Sequence, residues 1–161
     1  MNSALPGGLE SYAHRKLFDR IGVSDYEWQH TPTRVASTAG GIQLTPLDFA
    51  KFGELHRNRG LWMGEAVVPA DWVDAMMLAQ VETMIPGNRY GFLWWHKSYV
   101  VENETWPVTF CVGNGGNKIL VFHDQKLVVV VTASAYDQPY MYSQIDEILM
   151  RYVLPAVSNQ Q

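Results

Sequence analysis

Between residues 89 and 134 the sequence is dominated by four runs rich in β-branched and aromatic residues: YGFLWWHKSYV, WPVTFCVG, NKILVFH and LVVVVTAS. Such side chains suit the half-buried, pleated surface of a sheet. Short connections, such as His123-Asp124-Gln125-Lys126 between the last two runs, allow only antiparallel neighbours. This stretch therefore predicts an antiparallel sheet of about three to four strands. LVVVVTA is apolar without alternation, the pattern of a central strand covered on both faces. From Tyr140 to Leu154 helical spacing returns through Ile145, Ile148, Leu149 and Tyr152, which predicts a C-terminal helix packed back on the sheet.

The part before the sheet reads as helices and loops. Leu9, Tyr12, Ala13, Lys16, Leu17 and Arg20 recur at spacings of three and four, so a helix is expected from Leu9 to Ile21, capped by Gly22. Ser24 to Ser37 is polar and is read as a loop. Thr45-Pro46-Leu47-Asp48 starts a second helix, with a capping hydroxyl, a proline in the first turn and an acid at the positive end of the dipole. Gly60 closes it. Pro69-Ala70-Asp71-Trp72 starts a third, with Val73, Met76 and Met77 on its buried side. The expected organisation is α+β in one domain, 1–161: helix and loop over 1–88, sheet over 89–134, and the last helix over 140–154.

Composition excludes several partners. Of 161 residues, 47% are hydrophobic and 17% charged, as in a chain that buries a core. The formal charge of -4, with Lys and Arg scattered, leaves no basic face for a nucleic acid. No run reaches the roughly 18 apolar residues of a membrane span, and MNSALPGGLESYAHRK has no signal-peptide pattern. Cys111 is the single cysteine and reads as a small buried hydrophobe. Histidines 14, 30, 56, 96 and 123 show no metal-ligand spacing, so neither a metal nor a cofactor is expected. Asp137, in SAYDQPY, reads as part of a solvated turn.

One stretch stands out for chemistry. In FCVGNGGNKILVF, three glycines and two asparagines sit between two apolar runs. Glycine either supplies a positive φ in a hairpin or keeps the main chain bare for a close approach. Both readings stand at this point.

The landmarks KLFDRIGVSDYEW, GGIQLTPLDFAKFGEL, NRGLWMGEAVVPADWV, RYGFLWW, VGNGGNKILVF and LVVVVTAS come in one order across nearly the whole chain. In that order they resemble the C-terminal portion of the serine β-lactamase and penicillin-binding-protein-like hydrolases, in particular the branch with class C β-lactamases, esterases and 6-aminohexanoate-dimer hydrolases. The resemblance implies a helical region beside an antiparallel sheet, with the active site at their junction. It implies a Ser-x-x-Lys nucleophile assisted by a Tyr, and a third motif on an edge strand whose main chain lines the cleft and offers an oxyanion-hole amide. The third-motif region falls on Cys111, Val112, Gly113, Asn114, Gly115, Gly116 and Asn117. Phe110-Cys111-Val112 stands where Lys-Thr-Gly is expected, which favours ester or simple amide substrates over a β-lactam carboxylate. Gly40 and Gly41 match the double glycine of the family. With Tyr90, Trp94 and Trp95 they are candidate cleft-wall residues, although 94 and 95 must face opposite sides of a strand.

None of the serines, at 3, 11, 24, 37, 98, 134, 143 and 158, is followed three residues later by lysine. No Tyr-x-Asn and no Gly-x-Ser-x-Gly occurs. By resemblance, those motifs fall before Met1, so no catalytic residue is assigned and the chain is expected to be inactive alone. Two functions follow. One is the C-terminal part of a serine hydrolase acting on a small ester or amide. The other is a non-catalytic module from the same fold that forms a homodimer or binds its missing N-terminal half.

Overall fold

A computed structural model describes residues 5–158. The N-terminal helix runs through α1 (Gly8–Ala13), a π-helical stretch (His14–Phe18) and α2 (Asp19–Ile21). Gly22 ends it in the left-handed conformation, φ 68°, as a C-terminal cap requires. Residues read from sequence as a loop contain β1 (Tyr26–Trp28), which pairs antiparallel with β2 (Ile42–Leu44). Helix α3 (Pro46–Arg57) is capped by Thr45, whose Oγ1 accepts the Asp48 amide at 3.1 Å. A small hairpin, β3 (Leu61–Trp62) and β4 (Glu65–Ala66), leads to α4 (Ala70–Met77).

The main sheet has six antiparallel strands, more than the three to four expected. They are β5 (Val81–Glu82), β6 (Arg89–Gly91), β7 (Trp94–Val101), β8 (Glu104–Gly113), β9 (Asn117–Phe122) and β10 (Leu127–Val131), adjacent in chain order. Two features account for the difference. The run YGFLWWHKSYV is broken by a tight turn at Phe92–Leu93, and Val81–Glu82, upstream of the expected sheet, pairs with β6.

A second correction concerns LVVVVTA. β10 is an edge strand, not a central one, and all five of its residues are half-buried. The unbroken apolar pattern reflects cover above and below. One face meets α3, where a Cβ on Gly53 would stand 2.5 Å from Val128 Cγ1, and the other meets the C-terminal core.

That core lies under α5 (Ser143–Ile148), a π-helical stretch (Leu149–Val153) and α6 (Leu154–Ser158). This helical segment begins three residues later than expected and ends later too. Ile145, Leu149 and Leu154 pack on Tyr99, Trp106, Val108, Phe110, Leu120 and Phe122. Burying a side chain such as Phe122 contributes about 1.5–3 kcal/mol. A second cluster, Phe18, Ile21, Val23 and Leu55, lies between the N-terminal helix and α3. Helix α3 lies between this cluster and the other face of the sheet: Leu55 enters the cluster, while Gly53 and His56 turn to the sheet.

Candidate functional site

The stretch expected to hold the third motif, Cys111 to Asn117, occupies the end of β8 and the turn after it. β8 pairs with β7 only as far as Trp95–Phe110, but with β9 up to Gly113–Asn117. Only Thr109 and Phe110 are therefore paired on both sides; Glu104 to Val108 pair with β7 alone, and Cys111, Val112 and Gly113 pair with β9 alone. Among the described residues no strand lies on the other side of that last stretch. Val112 and Asn114 are exposed there. Burial pushes the Cys111 thiol up to about 11, so at neutral pH it is a packed, un-ionised group.

The turn is tied by side chain and main chain together. The Gly115 amide donates to Asn114 Oδ1 at 2.9 Å, and Asn117 Nδ2 donates to the Asn114 carbonyl at 2.7 Å. The Asn117 Oδ1 accepts from the Ala133 amide at 3.2 Å, and the Gly115 carbonyl from the Ala135 amide at 2.9 Å. Gly115 and Gly116 have φ of 79° and 94° and are buried. A Cβ on Gly115 would stand 2.7 Å from the Tyr136 ring, and one on Gly116 2.6 Å from the Met141 carbonyl. These two glycines are bare because the chain's own 133–141 segment lies on them. The open part of the region is Cys111 to Asn114.

The other candidate residues separate. Trp94 and Trp95 do point to opposite faces. Trp95 packs on Tyr90, 4.8 Å between ring centroids, and on Phe110, 6.4 Å, under the C-terminal helix. Trp94 faces α3, its ring tilted against His56 with 4.0 Å between centroids. Gly40 and Gly41 belong to the separate β1–β2 unit, where the Gly41 carbonyl accepts the Gln29 amide at 2.9 Å. At Gly41 a Cβ would meet the Gln29 side chain at 2.7 Å. Two surface clefts, of about 520 and 440 Å³, lie by Glu54 and Trp62 and by Leu9 and Val35, and neither includes residues 111–117.

Two clusters were not visible in the sequence. Beside Trp94, His56 is buried with neither ring nitrogen bonded, and His123 lies 5.2 Å away, its Nε2 3.2 Å from Thr109 Oγ1. His96 is the third member, with a buried, unbonded Nε2. Burial, aided by His123 and His96, lowers the His56 pKa to about 4. Burial is also the main cause that lowers His96 and His123. Among the described residues no group of three or more His, Cys, Asp or Glu is arranged to hold a metal ion. On the opposite face Asp146 accepts from Lys118 Nζ at 2.7 Å, Lys97 Nζ at 2.9 Å and Tyr99 OH at 2.6 Å. Burial acts to raise the Asp146 pKa, but these three donors outweigh it and hold the carboxyl below its ordinary value. Lys118 is displaced downward by burial, since one carboxylate shared with Lys97 compensates it only in part. The sequence signal was the lysine in each of two apolar strands, Lys97 and Lys118, which needed a buried acid.

No family model and no curated protein matches the sequence. Solved structures do. One is described as "Putative 6-aminohexanoate-dimer hydrolase from Bacillus anthracis", with a TM-score of 0.71 at 19% identity over 92% of this chain. Another is described as "Crystal structure of putative beta-lactamase from Bacteroides dorei DSM 17855", with a TM-score of 0.52 at 13% identity over 83%. The chain has a β-lactamase-like hydrolase fold. It spans 37% and 49% of the lengths of those two proteins. The resemblance carried by the sequence landmarks and this likeness of fold agree, although identity below a fifth carries fold and not activity. Within the β-lactamase-like fold, Cys111 to Gly113 at the end of β8 form a strand edge.

Proposed function

We propose that this chain forms one wall of the acyl-transfer cleft of a β-lactamase-related serine hydrolase, with the attacking serine and its lysine supplied from outside these residues. The carrying observation is the end of β8, where Cys111 to Gly113 form a strand edge beside a glycine-rich turn. A main-chain N–H on that edge donates to the oxyanion that forms when an ester or amide carbonyl is attacked. With Phe110 where the family resemblance expects lysine, no cation awaits a substrate carboxylate, and esters or simple amides are the favoured class.

The attacking group and its base act as a unit, so a wall without them gives no useful rate. The purified chain is expected to leave p-nitrophenyl esters and nitrocefin intact and to take up no fluorophosphonate. Mixed with a polypeptide bearing the Ser-x-x-Lys part of such a hydrolase, it should switch on labelling of that polypeptide. Labelling of any serine in this chain would falsify the reading.

The free β10 edge favours a second reading, self-association. Five consecutive apolar residues, with no charge or proline among them, lie along an unpaired edge. About Val129 as the centre of a two-fold, Lys126 faces Thr132 of a second copy, so no like charges meet. Sedimentation at micromolar concentration should show a dimer that Val129→Lys converts to monomer. A monomeric wild type excludes this route.

A further inference from the structure

We propose that the contact between α3 and the large sheet is a proton-released clamp: in acid the helix lifts off the sheet together with the N-terminal unit behind it, while the sheet and the C-terminal helix stay folded. The observation behind it is the make-up of that contact. At Gly53 it is close apolar packing, with Val128 and Ile119 at 2.5 and 2.9 Å from a Cβ placed there. One turn further along α3 stands His56, 3% exposed, with neither ring nitrogen bonded. Its ring lies 4.0 Å from that of Trp94 and 5.2 Å from that of His123.

A proton on this ring turns both nitrogens into donors and adds a charge that must be paired or hydrated. The elements packed on it offer neither relief. β7 brings Trp94 and His96, the latter with a buried, unbonded Nε2. The end of β9 brings His123, whose Nε2 faces Thr109 Oγ1 at 3.2 Å. His123 and His96 are the titratable groups that act on His56, and both oppose its protonation. In turn Arg57 opposes a proton on His123 and Arg89 one on His96, while Asp124 favours one on His123. No carboxylate acts on His56 itself, so the closed contact cannot take the proton without opening.

What lies on either side explains why this seam opens before the rest. Behind α3, Leu55 joins Phe18, Ile21 and Val23, and Phe52 meets Phe18 edge-on at 5.9 Å, so the helix keeps a core when it leaves the sheet. On the far face, Asp146 ties β7 and β9 to α5 through Lys97 and Lys118. Its carboxyl, held below its ordinary value, is still ionised where His56 takes up a proton. Two bodies with separate cores thus meet at one acid-sensitive contact, the arrangement in which opening is partial and not global.

The test uses two neighbours on β9 that face opposite ways: Ile119 lies against Gly53, and Leu120 belongs to the C-terminal core. In a Cys111→Ser background, Ile119→Cys and Leu120→Cys put one thiol on each face of the same strand. Labelling by a dipyridyl disulfide, referred to the rate of an unfolded-chain thiol at the same pH, gives an opening constant for each. Whole-chain unfolding exposes both thiols equally, and lifting of α3 exposes position 119 alone. From pH 7 to pH 4 the constant at 119 should rise about a hundredfold, as for a group with pKa about 4 when closed and about 6.5 when released. At pH 4 it should exceed the constant at 120 and depend less steeply on urea, because less surface is exposed. Adding His56→Leu should remove most of the rise at 119. Equal constants and equal urea slopes at the two positions at pH 4 would make the opening global and overturn the proposal. So would a rise at 119 that survives His56→Leu. Where that variant does not fold, the comparison of 119 with 120 in the chain that keeps His56 decides alone.

Discussion

On the face of the large sheet under the C-terminal helix, Lys97, Lys118 and Tyr99 all aim their polar atoms at Asp146; under α3, His56 is buried with neither nitrogen bonded. Both faces bury titratable groups, but on the second His56 has no partner at either nitrogen. A satisfied network fixes one arrangement and fails sharply when a member is removed. An unsatisfied buried imidazole stays neutral and makes its face sensitive to protons. The six strands are thus held by charge on one side and by uncharged histidine on the other.

The largest effect is expected from Asp146→Ala, which leaves Lys118, 3% exposed, without its counter-charge. Breaking such a buried pair costs about 3–5 kcal/mol, readable as a fall in the urea midpoint. Adding Lys118→Met should restore most of it. A loss under about 1 kcal/mol would mean that water screens the network, as at a surface pair.

Next comes acid. His56 has a folded pKa near 4 against an ordinary 6.5. Between those values the unfolded chain binds more protons, so stability falls as pH drops from about 6.5 to about 4, by about 3 kcal/mol in all, and no further below. His96 and His123 shift the same way and add to the slope. Asp146, held below its ordinary value, loses its contribution only at lower pH still. The two faces therefore weaken in separate windows. Urea midpoints from pH 7 to 4 should lose most of the upper slope in His56→Leu, and an unchanged slope there would place its origin elsewhere.

A smaller effect tests how closely α3 lies on the sheet. Gly53→Ala puts a methyl 2.5 Å from Val128 Cγ1 and 2.9 Å from Ile119 Cγ2. Overpacking of this kind costs about 1–3 kcal/mol. Wild-type stability in that variant would show that the helix can lift without loss.

The sequence made much of this legible where chemistry is local. Thr45 caps α3 and Gly22 ends α2 because both signals act within a few residues. The strand period likewise turned Trp94 and Trp95 to opposite faces. Information about neighbours was harder to extract. LVVVV reports what covers a strand above and below, not what lies alongside, so the edge position of β10 was hidden. Phe92–Leu93 lacks the usual turn residues and read as continuous strand. The histidine group is assembled from α3, β7 and the end of β9, and Asp146 meets lysines from two other elements, so no spacing could announce either. Of the candidate site, the glycine-rich turn was visible, but its two inner glycines turned out to serve the chain itself.

That last point reaches further than the turn. Tyr136 rests on Gly115, the Met141 carbonyl rests on Gly116, and α5 begins only two residues after Met141. Side chains at 136 and 141 both bear on the glycine bend, Tyr136 through its ring and Met141 through its Sδ, which accepts the Gly115 amide at 3.1 Å. Variants aimed at the Cys111–Asn114 turn should include this roof as well as the rim, because the two segments are far apart in sequence and adjacent in space.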